Sequence, residues 1–164
     1  MKRTLAISVA VMLAAAIVLL NGIEYGISRH DAFPFRCATF TRYDLSRKEG
    51  AYLTFAVTQD LRFQDRESGY LLLNGQVTRG DQTTILNRRI GLAQGAKIDS
   101  ETYRYHIDNI ITSTTDNTPD ATFALLLAEL TLDPSWLQLE VNRLDSKTYL
   151  IGGPLSYLFT CQRY

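Results

Sequence analysis

From Leu53 onward apolar and polar residues alternate, with Leu53, Phe55, Val57, Leu61 and Phe63 on one side of an extended segment and Thr54, Thr58, Asp60, Arg62 and Gln64 on the other. A period of two marks a strand with one buried face. Asp65 to Ser68 reads as a turn, and Gly69 to Arg79 returns with Leu71, Leu73 and Val77 on one face, which completes a hairpin. Gly80-Asp81 leads into a strand from Thr83 to Leu92. Gly95 to Ser100 separates that from Thr102 to Ile111, where Tyr103, Tyr105, Ile107 and Ile111 alternate with Arg104, His106 and Asp108.

The period changes after Asp116-Asn117-Thr118-Pro119-Asp120. Phe123, Leu126, Leu127 and Leu130 follow at helical spacing, with Thr118 as the expected cap and Pro119 at the first helical position. The carboxylates of Asp116 and Asp120 are expected to complement the helix dipole at this start. Leu125 and Ala124 add apolar surface off the stripe, which predicts a helix of three turns covered on more than one side. Asp133-Pro134 ends it, and Leu137, Leu139 and Val141 restore the two-residue period. Asp145-Ser146-Lys147 is a turn, followed by Thr148 to Gly152 and Leu155 to Cys161. With Arg36 to Asp44 at the start, the pattern predicts a mainly β domain of about eight antiparallel strands with one inserted helix. Short connections favour a meander closed into a small barrel. Phe35, Cys37, Thr39 and Tyr43 are expected to face inward on the first strand, and Leu155, Tyr157, Phe159 and Cys161 on the last.

The first residues carry a different pattern. Leu5 to Leu20 is an uncharged apolar run that extends to about Ile23, close to the roughly 20 residues a bilayer-spanning helix needs. Lys2 and Arg3 precede it, which places the N-terminus in the cytoplasm and the domain on the far side of the membrane. A cleaved signal peptide is the competing reading. It is disfavoured because Ala14 to Ala16 lie inside the run and are followed by Ile17, Val18, Leu19 and Leu20. The expected organisation is a cytoplasmic tip and anchor over 1–23, a linker over 24–34 and an exported domain over 35–164.

Export bears on the two cysteines. Cys37 and Cys161 lie near the two ends of the domain, and in an oxidising compartment a disulfide is expected, with two buried thiols as the alternative. Such a bridge joins the first strand to the last, and closing so long a loop stabilises by about 4 to 5 kcal/mol in the chain-entropy model.

Composition narrows the function classes. Apolar residues make up 46% and charged residues 21%, values of a globular domain and not of a disordered chain. Basic and acidic residues both number 17, so no cationic excess points to nucleic acid. His30 and His106 have no neighbouring ligands at metal-binding spacing, and neither a G-x-S-x-G motif nor a glycine-rich phosphate loop is present. The expectation is a protein that is not an enzyme and uses no cofactor. Among the nine tyrosines and seven phenylalanines, Phe55, Tyr103 and Tyr105, together with Trp136, are the candidate lining of a ligand cavity. Of the adjacent Arg88 and Arg89, one can reach inward toward an anionic ligand, a solvated edge being the alternative.

The order of Cys37, Gly75, Arg88, Asp116 to Asp120, Tyr149 to Ile151 and Phe159 to Cys161 behind an N-terminal apolar run resembles the FidL-like family of enterobacterial inner-membrane proteins. The resemblance covers nearly the whole chain, and no single motif in it is specific. It implies a small membrane protein like those that accompany a ToxR-like regulator with a cytoplasmic winged-helix domain and a periplasmic tail. It also implies a VtrC-type role, in which the two periplasmic parts form a lipocalin-like barrel around an amphipathic signal such as a bile salt. A stand-alone lipocalin-like binder and a structural factor of the envelope are the alternative readings.

Overall fold

The computed structural model describes residues 33–45 and 52–164, together with Met12 and Ala15, both helical. The chain divides into two units, Met1–Ala32 and Phe33–Tyr164. The anchor expected at 1–23 lies outside the described residues apart from Met12 and Ala15, and so does most of the linker. Among the described residues no helix is long and apolar enough to cross a membrane.

The second unit is a closed antiparallel barrel of eight strands that neighbour one another in chain order. They are β1 (Phe35–Asp44), β2 (Leu53–Phe63), β3 (Gly69–Arg79), β4 (Gln82–Lys97), β5 (Thr102–Thr112), β6 (Trp136–Arg143), β7 (Thr148–Gly152) and β8 (Tyr157–Arg163), and α1 (Asp120–Leu130) is inserted between β5 and β6. The alternating residues do as their period predicts. Phe55, Val57 and Leu61 of β2 are buried beside Leu71, Leu73 and Val77 of β3, held in register by pairs such as Phe55↔Val77 and Leu61↔Leu71. Each such side chain contributes about 1.5 to 3 kcal/mol of burial, which fixes the register because a one-residue slip would expose the whole row.

Three irregularities depart from strict alternation. Between Ala93 and Ala96 the ladder to β5 shifts, with Gln94 at a left-handed φ of 53°. Gly95 is therefore inside β4 and not a separator. A Cβ there would lie 2.2 Å from the Arg66 carbonyl oxygen and 2.5 Å from the Tyr105 ring, so only glycine permits this approach. The second shift pairs Leu92 with Ile107 but Gly91 with Asn109, leaving Asp108 as an extra residue in β5. Beyond it the faces exchange. Ile110 now opposes the buried Ile90, whereas Ile111, expected inside, opposes Arg89 and is 53% exposed. A third shift, between Ile151 and Gly152, leaves Leu158 as an extra residue at the start of β8. Leu155 and Tyr157 are exposed, contrary to expectation, and only Phe159 and Cys161 face in.

The seam between β1 and β8 pairs only Cys37 with Arg163 and Ala38 with Gln162. Across it runs the disulfide Cys37–Cys161, whose Cα atoms lie 5.5 Å apart and 124 positions apart in sequence. Beyond this point the wall is incomplete. Among the described residues, Thr39 to Tyr43 of β1 pair with β2 alone, and Asn109 to Thr112 of β5 pair with β4 alone. The opposite end carries three hairpins built alike. Asp65, Asp99 and Asp145 each accept N–H bonds from the residues two and three positions on. These bonds hold all three carboxyls below their ordinary values; the Ser68 hydroxyl acts most on Asp65, and the Glu101 and Lys147 N–H groups on Asp99 and Asp145.

Candidate functional site

The incomplete half of the wall, the helix beside it and the interior behind them form the candidate site. α1 buries Thr122, Phe123, Leu126, Leu127 and Leu130, the stripe its spacing predicts. Ala124 and Leu125 are exposed, so the helix is covered on one side and not on several. Its start is not capped as expected. Pro119 occupies the cap position with no side-chain cap, while the Thr118 hydroxyl donates to the Ile85 carbonyl. The acids here serve another partner. Arg88 faces inward from β4 and is 4% exposed. Its guanidinium donates to Asp116 at 3.1 and 3.3 Å, to Asp120 at 2.7 Å and to the Thr118 carbonyl at 2.6 Å, and lies 4.5 Å from the centre of the Phe123 ring. The inward arginine thus meets an anion of its own chain, and Arg89 points outward, over the Tyr70 ring.

The two acids differ in setting, since the Asp116 side chain is 1% exposed and that of Asp120 is 92% exposed. Burial by itself would raise the Asp116 carboxyl. The Arg88 bond, the Asn87 and Thr118 N–H groups and the Arg88 charge outweigh it and hold the carboxyl below its ordinary value. Burial acts to lower the Arg88 pKa, but the bonds to both acids raise it above the ordinary value. Both groups are therefore charged across the physiological range, and the pair ties the start of α1 to β4.

Between β1 and the interior lies a second polar group. Gln59 stands on the inward face of β2, between Val57 and Leu61, and is 1% exposed. Its Nε2 donates to the Tyr43 hydroxyl at 2.7 Å and to the Thr41 hydroxyl at 3.1 Å. Tyr43 is pushed up to about 12, chiefly by burial, with Glu129 of α1 adding to the shift and the Gln59 bond opposing it. α1 therefore reaches from the β4 side, at Asp120, toward β1, at Glu129.

The four candidate cavity residues do not converge. Phe55, Tyr103 and Tyr105 belong to the buried core, and Tyr105 stacks on Phe63 with ring centres 4.8 Å apart. Trp136 belongs to the outer face, where the Arg104 guanidinium sits 4.4 Å from its ring centre and the His106 ring meets it edge-on at 5.2 Å. Gln59 was missed because it occupies a position that the alternation assigns to an apolar residue; a glutamine in such a row is the signal that could have found it. Among the described residues no group of three or more His, Cys, Asp or Glu side chains could hold a metal ion.

A family model described as FidL-like putative membrane protein matches residues 75–161, just over half of the chain. No curated protein matches the sequence at a significant level.

Proposed function

Because the chain belongs to the FidL-like family of membrane proteins, we propose that it is a non-enzymatic accessory subunit held in the inner membrane by residues 5–23, with its N-terminus in the cytoplasm and its barrel in the periplasm. The barrel pairs with the periplasmic tail of a ToxR-like winged-helix regulator and helps form a pocket for an amphipathic signal such as a bile salt. One observation carries this reading: the wall is left open at Thr39 to Tyr43 of β1 and at Asn109 to Thr112 of β5. Exposed strand edges are templates for an added strand, which supplies main-chain hydrogen bonds and register together. The anchor supports it from the sequence, since two single-pass proteins in one bilayer meet at raised effective concentration.

Ser113 donates its N–H to Asn87 of β4, so the alternation of an antiparallel ladder turns the N–H of Thr112 toward the open side. Thr112→Pro removes that donor and leaves the β4 ladder intact. The test is co-purification of the full chain with the regulator in detergent. Association is expected for the wild type and its loss for Thr112→Pro with thermal melting unchanged. Association that survives the proline rules out the edge, and reproducible absence of association in the wild type rules out the pairing. The closure of the barrel within one chain favours a second reading, a stand-alone lipocalin-like binder. Calorimetric binding of hydrophobic ligands by the chain without any partner would support that reading over the first.

A further inference from the structure

Among the described residues the Gln59 Oε1 atom is buried and accepts no hydrogen bond. Exchanging the amide oxygen and nitrogen does not cure this. The oxygen could then accept from the Tyr43 and Thr41 hydroxyls, but the amide nitrogen would be left without an acceptor. A buried amide atom without a partner costs about 1 to 3 kcal/mol, and a leucine in this apolar row would carry no such cost. A hydroxyl group both donates and accepts, so it completes Gln59 in either orientation. The amide also lies beside the stretch of β1 where the wall has no second strand, and Tyr43, which it contacts, is only half-buried and remains an uncharged phenol.

We propose that Gln59, with Tyr43 and Thr41, anchors the hydroxyl group of an otherwise apolar ligand that enters past the open edge of β1 and lodges between β1 and α1. The ligand is recognised as a hydroxylated aliphatic molecule, with Gln59 as its specificity determinant. This rests on the sensory reading above but is tested without the regulator, so the two can fail separately.

Stearate and 12-hydroxystearate, two probes that differ by one hydroxyl, are each dialysed to equilibrium against nanodiscs carrying the full chain and against empty nanodiscs. The wild type is expected to take up the hydroxylated probe at least about tenfold more tightly, because a site built to hydrogen-bond a hydroxyl rejects the analogue lacking it. Gln59→Leu, of nearly the same volume, is expected to abolish that preference while keeping its uptake of stearate. Tyr43→Phe, which removes only the phenolic hydroxyl, is expected to weaken it. Equal affinities in the wild type, a preference that survives Gln59→Leu, or uptake no greater than by empty nanodiscs would overturn the proposal. So would a raised melting midpoint in Gln59→Leu with no probe preference in the wild type, the result expected if only a fixed internal water completes Gln59.

Discussion

Replacing Arg88 by methionine removes the cation but keeps most of the aliphatic stem against Phe123, so it isolates the charge. The Asp116 carboxylate is then left 1% exposed with two backbone N–H donors and no counter-charge. Breaking a buried pair from one side costs about 3 to 5 kcal/mol, a large share of the roughly 5 to 15 kcal/mol that holds a domain together. At about 3 to 5 °C per kcal/mol for a domain of this size, the melting midpoint should fall by about 10 to 25 °C near pH 7. Asp116→Asn leaves the guanidinium with Asp120, the Thr118 carbonyl and the Phe123 ring, and is expected to cost less. The double substitution should cost markedly less than the sum of the two singles, since it leaves no buried charge unpaired. The acid limb gives an independent check. The folded pKa of Asp116 lies below its ordinary value, so the stability it contributes is complete above that ordinary value and is lost as pH falls through the lowered folded one. The gap between wild type and Arg88→Met should therefore narrow in acid. Urea or thermal unfolding of the four proteins at pH 7 and in the acid range measures all of this. Single substitutions that cost under about 1 kcal/mol, add without coupling and show no pH dependence would refute the claim that this pair ties α1 to the barrel.

Three further outcomes are expected. Reducing the Cys37–Cys161 bond, or replacing both residues by serine, should lower stability by up to about 4 to 5 kcal/mol and should raise hydrogen exchange first in β1 and β8, where the ladder is shortest; protection that falls evenly over all strands would contradict this. Gly75→Ala places a Cβ 2.1 Å from the Ala56 carbonyl oxygen, against backbone that cannot swing aside, and should depress the melting midpoint by several degrees, whereas the same change at Gly153 meets only the Leu158 side chain, at 3.1 Å, and should cost less. Asp120→Asn, at an acid whose side chain is 92% exposed, should cost only a fraction of what Arg88→Met does; equal losses would show that the exposed acid, and not Asp116, carries the pair.

The strands and the helix were legible because each buries one face, and a period of two or of 3.6 records that directly. Ile111 shows where this stops. One extra residue at Asp108 exchanges the faces of β5, and nothing in the local run Asp108-Asn109-Ile110-Ile111 announces the insertion. Tyr157 fails in the same way behind the shift at Gly152. The union of Arg88 with Asp116 was illegible for another reason. Their positions are 28 apart, and Asp116 stands where a short acidic residue also suits a helix start, so the local explanation sufficed until the fold was known. Trp136 was grouped with the inner aromatics by composition, but β6 gives it to the outer face, beside Arg104 and His106. The disulfide was legible because with two cysteines the only internal choice is paired or free.

That bond also acts as a record of assembly. With a single internal pairing open to the chain, oxidation cannot scramble it, and no isomerase is needed to choose between partners. The two sulfur atoms meet only after β8 has been laid against β1. Until then Cys37 remains a thiol while the chain leading to its partner, 124 positions on, folds. The fraction of chains with the bond intact therefore counts the barrels that have closed, and any population that stays reactive to a thiol reagent counts those caught with the seam still open.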